Sequence, residues 1–136
     1  MKKLFIACAL ALLAALSSLS AQTRLIAHRG FWDREGSAQN SIASLVASHE
    51  VKAYGSELDV IITADGIPVV HHDDEVQGIR IEDASYEQIK DIQLKNGEVI
   101  PTFESYLQKF MTLPDMKLIV EIKPHKRIVN EDRAVN

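Results

Sequence analysis

Ser56-Glu57-Leu58-Asp59-Val60-Ile61-Ile62-Thr63, then Ala64-Asp65-Gly66, then Ile67-Pro68-Val69-Val70-His71-His72 is a strand, a turn and a returning strand. Successive strand side chains point to opposite faces, so Glu57, Asp59 and Ile61 share one face and Leu58, Val60 and Ile62 the other. Asp-Gly between two apolar runs is a strong sign of a two-residue hairpin turn. With Asp65 and Gly66 as the turn residues, opposed residue numbers sum to 131, so Ala64 faces Ile67, Asp59 faces His72, and His71 pairs with Val60 and points away. Directly opposed side chains lie about 5 Å apart, which gathers two carboxylates and the His72 imidazole on one face. Pro68 lacks an N–H and holds the returning strand to an edge.

On the amino-terminal side, Arg24-Leu25-Ile26-Ala27 is a short apolar strand delivering His28-Arg29-Gly30 at its carboxyl end, where Gly30 lets the chain turn. A helix is expected from Asn40 or Ser41, both good caps, with Ile42, Leu45, Val46 and His49 at helical spacing and Gly55 marking its end. On the carboxyl side, Ser85 and Gln88 form a capping box for a short helix, and Lys95-Asn96-Gly97 is a turn. Thr102 caps a stronger helix whose Phe103, Tyr106, Leu107, Phe110 and Met111 make a core stripe ended by Pro114. Leu118–Lys123 is a further apolar strand, closed by Pro124. This alternation is the α/β pattern of a parallel sheet covered by helices, and strands with polar groups at their carboxyl ends are how a βα barrel presents its site. The expected fold class is therefore α/β, a βα (TIM-type) barrel.

The chain has 136 residues, 19 acidic and 15 basic, a formal net charge of −4 and 46% hydrophobic residues. These figures fit one ordinary globular domain without disorder bias. They also disfavour a nucleic-acid binder. The average hides an asymmetry: residues 1–21 carry only Lys2 and Lys3, and Leu4 to Leu16 carry no charge. Charged start, apolar run and small polar Ser17-Ser18-Leu19-Ser20-Ala21 match a secretory signal peptide. Thirteen apolar residues rise only about 20 Å as a helix, short of the roughly 30 Å bilayer core. Residues 1–21 are thus read as the signal-peptide segment and 22–136 as a partial enzyme domain, with Ser18 and Ser20 as the small residues of a cleavage site, export to a periplasm or the exterior, and no stable membrane anchor afterwards. Loss of the two lysines takes the net charge from −4 to −6. Cys8, the sole cysteine, lies inside the apolar run. Lipidation there is disfavoured, and thiolate chemistry and disulfides are excluded from the mature chain.

Two carboxylates crowded in a poorly solvated pocket must take up a proton or share a cation. With oxygen ligands, a hard ion such as Mg²⁺ or Ca²⁺ suits better than zinc. Glu121, near the end of the last strand, is a natural third ligand, and Lys123 shares its face. A Lys and Arg29 beside a metal point to an anionic substrate, most simply a phosphate. Taken singly, Glu57 with Asp59 and Glu121 with Lys123 are more often solvated strand faces, and His28 a structural histidine. The hairpin register, together with three apolar strands all ending in polar groups, favours a site.

The ordered set His28-Arg29-Gly30, Gln39-Asn40-Ser41, Glu57-Leu58-Asp59-Val60, Thr63-Ala64-Asp65-Gly66, His72-Asp73, Pro101-Thr102 with Glu104, and Glu121-Ile122-Lys123 resembles the glycerophosphodiester phosphodiesterase family, whose domain is a βα barrel. The resemblance implies that His28 and His72 are the acid and base pair, that Glu57, Asp59 and Glu121 bind a divalent metal (Ca²⁺ or Mg²⁺), that Arg29 and Lys123 hold the phosphate, and that Asn40 supports the site. It further implies hydrolysis of a glycerophosphodiester to sn-glycerol 3-phosphate and an alcohol. Attack by water and attack first by a glycerol hydroxyl, through a cyclic phosphate, are both open, as is the division of acid and base between the histidines. Two departures accompany the resemblance. Gln39 stands where the family usually has Glu, so the charge that Glu would bring is missing. A complete barrel needs about 250 residues and eight strands, whereas three barrel strands and a hairpin arm are readable here. The chain is therefore expected to be the amino-terminal part of such a barrel, with an inactive fragment that binds diester or metal without turnover as the alternative.

Overall fold

The computed structural model describes residues 23–135; the signal-peptide segment read from residues 1–21 lies outside them. Strand β1 (Ile26–Ala27) leads to helix α1 (Ile42–Glu50), strand β2 (Gly55–Ile62), its hairpin partner β3 (Pro68–Val70), a small ribbon β4 (Glu75–Val76) and β5 (Ile79–Arg80), and a 3₁₀ turn (Ile81–Asp83). Helices α2 (Tyr86–Ile89) and α3 (Phe103–Phe110), strand β6 (Lys117–Ile122) and helix α4 (Ile128–Val135) complete it. None of these helices is long and apolar enough to cross a membrane.

Strand β2 is the axis of the sheet, and all eight of its residues are buried. β1 runs parallel to its first residues, with Ala27 beside Ser56. β6 runs parallel along Gly55 to Val60, with Asp59 beside Glu121. β3 pairs antiparallel with Val60 to Ile62. Because β6 occupies one side of β2 throughout, β1 and β3 lie end to end on the other. Gly55 does not end the helix, as its sequence position had indicated, but opens β2. A Cβ there would stand 2.4 Å from Ile119 Cδ1, so its role is close strand approach. Helix α1 ends earlier, at Glu50, where the N–H of the capping Val51 donates to Ala47 O at 3.1 Å and that of Lys52 to His49 O at 2.9 Å.

The two faces of β2 meet different neighbours, as the alternation requires. Leu58, Val60 and Ile62 pack with Leu45, Val70, Tyr106 and Met116 beneath α1 and α3. On the opposite face Ile61 joins Val69, Ile81, Ala84, Ile89 and Ile100 under the hairpin arm. Caps fix the helices. Ser41 accepts the Ser44 N–H at 3.0 Å and Thr102 accepts that of Ser105 at 3.1 Å, while Ser85 and Gln88 form the expected capping box. Within the α3 stripe Tyr106 is fully buried, whereas Met111 at the helix end is exposed.

The hairpin departs from its expected register. Pairing of Val60 with Val70 and of Ile61 with Val69 makes opposed numbers sum to 130, so His71, not His72, is opposite Asp59, and the His71 N–H donates to Asp59 O at 3.0 Å. The cause is Thr63. Its N–H donates to Ile67 O at 3.0 Å, the Gly66 N–H returns to Thr63 O at 3.0 Å, and its hydroxyl oxygen accepts the Ile67 N–H at 2.9 Å. The loop is therefore three residues, Ala64 to Gly66, with Gly66 at φ +86°, the left-handed position that closes a three-residue hairpin loop. Asp65 is drawn away from the turn proper: its carboxylate takes the Thr63 hydroxyl at 2.6 Å and the Tyr86 N–H at 3.0 Å.

Candidate active site

The parallel registers bring the polar residues together. Because Ala27 lies beside Ser56 and Asp59 beside Glu121, His28 emerges next to Glu57, and the two strand carboxylates face Glu121. One carboxylate oxygen from each of Glu57, Asp59 and Glu121 lies within 4.8 Å of the other two. The trio expected from sequence is thus assembled, two members buried and one exposed.

Each carboxylate is held on one side and open on the other. Glu57 Oε2 accepts the Arg29 backbone N–H at 2.7 Å and lies 3.9 Å from His28 Nε2. Asp59 Oδ2 accepts the Asn40 amide at 2.8 Å, and the Asp59 N–H donates back to Asn40 Oδ1 at 3.2 Å. This two-point clamp requires Asn40 at φ +60°, a conformation asparagine tolerates better than most residues. Arg29 also sits at positive φ, followed by Gly30 at φ +75°, where a Cβ would fall 2.2 Å from Ser44 Oγ. His28-Arg29-Gly30 is therefore a tight corner against α1 that turns the Arg29 N–H onto Glu57. The remaining oxygens, Glu57 Oε1 and Asp59 Oδ1, are buried and accept no hydrogen bond among the described residues.

Burial pushes the Glu57 carboxyl above its usual range; the Arg29 N–H opposes this, Asp59 adds to it, His28 opposes and Glu121 adds. Such a group binds a proton or a cation readily. The set fits a divalent metal: three carboxylates converge, the buried Glu57 Oε1 accepts no hydrogen bond among the described residues, and Asp59 Oδ1 has only the Lys123 ammonium near it. Cations stand at the edge. Arg29 Nε is 3.7 Å from Asp59 Oδ2, and Lys123 Nζ is 2.7 Å from Glu121 Oε1 and 3.4 Å from Asp59 Oδ1. The Glu121 carboxylate holds the Lys123 ammonium above its ordinary value, so it stays charged.

His72 reaches the same region by another route than cross-strand pairing. The chain bends after β3, and His72 lines a cavity with Ile61, Asp73, Lys123 and His125. Its Nδ1 is 2.7 Å from Asp73 Oδ1, and the pairing lowers the Asp73 carboxyl. Since a carboxylate only accepts, Nδ1 carries the proton and Nε2 is the ring atom left for chemistry. Asp73 is the supporting residue missed in the sequence-based site set, although its place directly after His72 was the available sign. Two further carboxylates act on backbone. Glu98 accepts the Ile42 and Ala43 N–H groups at the start of α1, at 2.9 and 3.1 Å. Glu82 accepts the Lys126 N–H at 2.9 Å, anchoring the loop that follows Lys123. Neither was legible, since each partner is more than 40 residues away.

Residues 28–131 match the glycerophosphoryl diester phosphodiesterase family. The chain belongs to it. A glycerophosphodiester phosphodiesterase of Caldanaerobacter subterraneus is 35% identical over 120 residues, covering 79% of this chain and 47% of that protein. The crystal structure of one from Parabacteroides distasonis superposes with a TM-score of 0.80 at 50% identity, over 82% of this chain and 48% of the other. A phosphodiesterase of Oleispira antarctica, solved in complex with the product sn-glycerol-3-phosphate, gives a TM-score of 0.64 at 30% identity, over 76% of this chain and 46% of its own. The chain thus spans about half the length of the relatives it matches, and its α/β arrangement of parallel strands and covering helices is shared with theirs.

Proposed function

We propose that this chain carries the metal-dependent catalytic residues for hydrolysing glycerophosphodiesters to sn-glycerol 3-phosphate and an alcohol, on a βα barrel of which it supplies the first three strands and the hairpin arm. The observation that carries this reading is the convergence of Glu57, Asp59 and Glu121 around a buried Glu57 oxygen that accepts no hydrogen bond among the described residues, flanked by Arg29, Lys123, His28 and His72. Glu57, Asp59 and Glu121 would hold Ca²⁺ or Mg²⁺. When bound, such an ion screens the charge that builds on phosphoryl oxygens. Arg29 and Lys123 hold the anionic phosphate, and Asn40 keeps Asp59 aimed. One of His28 and His72 takes the proton of the attacking hydroxyl as the new P–O bond forms, and the other protonates the alkoxide as the old bond breaks. Asp73 fixes the His72 tautomer for either duty. Export by the residue 1–21 segment would put the reaction outside the cytoplasm.

Release of glycerol 3-phosphate from glycerophosphocholine by the full chain, with Ca²⁺ or Mg²⁺ and with chelator, tests the reading. Turnover that chelator removes, and that His28→Ala and Glu57→Ala abolish, is the expected result. Diester or metal binding without turnover would favour the alternative, a catalytically inactive chain that binds diester or metal without hydrolysing it. Chelator-insensitive turnover would overturn the metal assignment.

A further inference from the structure

The reaction described above makes no use of Glu98, yet its carboxylate closes the start of the helix on which the Asp59 clamp depends. The first N–H groups of an α-helix have no partner within the helix. In α1 the Ser44 N–H donates to Ser41 Oγ at 3.0 Å, and the two before it, on Ile42 and Ala43, each donate to a different oxygen of Glu98, at 2.9 and 3.1 Å. A carboxylate there also meets the positive end of the helix dipole. Glu98 is itself held in place. The Asn96 amide donates to Glu98 Oε1 at 2.8 Å and to Gly36 O at 3.2 Å, and Asn96 Oδ1 accepts the Glu98 N–H at 3.3 Å. The turn beneath is closed by the Leu94 N–H on Glu98 O at 2.7 Å and the Gly97 N–H on Leu94 O at 3.0 Å.

Directly before those helix N–H groups stand Ser41 and Asn40. Asn40 lies at φ +60°, a strained conformation that persists only where the surroundings over-determine it. Its N–H donates to Arg29 O at 3.0 Å, its side chain makes the two bonds to Asp59, and the helix that follows is fixed at its first turn by Ser41 and Glu98. Without the Glu98 carboxylate, two donors at the start of α1 have only water to meet. The first turn then frays and Asn40 relaxes out of its left-handed conformation, so Asp59 loses the amide that sets its orientation beside Glu57 and Glu121. A cap alone contributes to stability; a cap adjoining the Asp59 clamp also contributes to what the trio can bind.

Resting on the metal site proposed above, we infer that Glu98 is a positioning residue for it: from the segment between the hairpin and α3, it holds the start of α1 so that Asn40 keeps Asp59 aimed at the cation. Asn96 acts through Glu98 in the same chain of contacts.

The test is a double-mutant cycle read by calorimetric titration of the full chain with Ca²⁺ and with Mg²⁺, using Glu98→Gln, Asn40→Gly and the two together. Glutamine keeps the shape of the side chain but offers one acceptor oxygen instead of two, and no charge. Glu98→Gln is expected to weaken binding of the ion about 3- to 10-fold. Once Asn40 is glycine it should change binding by less than about twofold, because the route through Asn40 is already cut. The fall in melting temperature, by contrast, is expected in both backgrounds, since the cap is lost in both. Unchanged affinity in Glu98→Gln, or an equal loss in the two backgrounds, overturns the inference while leaving the metal site standing. Should Glu98→Gln lose its native circular dichroism, Asn96→Ala, which spares the carboxylate and removes only its holder, is judged by the same two comparisons. Absence of saturable binding of either ion to the unaltered chain removes the proposed metal site and this inference together.

Discussion

The two faces of β2 are equally buried and chemically opposite. Toward α1 and α3, Leu58, Val60 and Ile62 meet apolar partners on every side, so burial there is purely stabilising. Toward the carboxylate trio, Glu57 and Asp59 are also buried; Asp59 has Arg29 and Lys123 beside it, but the buried Glu57 Oε1 accepts no hydrogen bond among the described residues, so burial there carries a cost that a bound cation would relieve. One strand thus carries apolar core on one face and, on the other, the carboxylates of the candidate site followed by Ile61 of the second core. The polar face is held by its own contacts, the Arg29 N–H on Glu57 and the Asn40 amide on Asp59, rather than by apolar packing around the carboxylates.

Substitutions on the two faces separate these contributions. Asp59→Ala, on the polar face, should lower turnover by about a thousandfold, since a metal contributes several kcal/mol to the transition state, while far-UV circular dichroism stays native. Loss of the native spectrum would show instead that the polar face also carries the fold. Leu58→Ala, its neighbour on the other face, should lower unfolding free energy by roughly 2–5 kcal/mol, read by denaturant titration. Asn40→Gly keeps the positive φ but removes the Asp59 clamp; metal affinity should fall by about 10- to 100-fold in calorimetry, with a smaller loss of stability. The smallest expected effect is in pH. With its carboxyl raised in the fold, ionised Glu57 destabilises the metal-free chain, so stability is present below its unfolded value and is lost as pH rises through the folded value. A bound cation cancels that loss. The rise in melting temperature on adding Ca²⁺ should therefore grow with pH across that window, and a constant or shrinking difference would contradict the assignment.

Much of this was legible in the sequence because it rests on local pattern. The alternation of Glu57 to Ile62, the Ser41 and Thr102 caps and the apolar β6 each follow from a few adjacent residues, and all are present. What escaped depends on contacts no short window contains. The hairpin register was missed because the Thr63 hydroxyl, not the Asp-Gly pair alone, sets the loop length, and one added residue exchanges His71 for His72 opposite Asp59. His72 still lines a cavity with Lys123 because the chain bends after Val70. Nothing in the residues adjacent to Glu98 and Glu82 marks their partners. Each satisfies N–H groups of a distant segment.

The central claim is that Glu57, Asp59 and Glu121 form one divalent-cation site. Calorimetric titration of the metal-free full chain with Ca²⁺ and with Mg²⁺ tests it most directly, compared with Asp59→Asn, which keeps the shape and removes the charge. One ion per chain, with binding lost in Asp59→Asn, is the predicted result. No saturable binding of either ion, or binding that Asp59→Asn leaves intact, would contradict it.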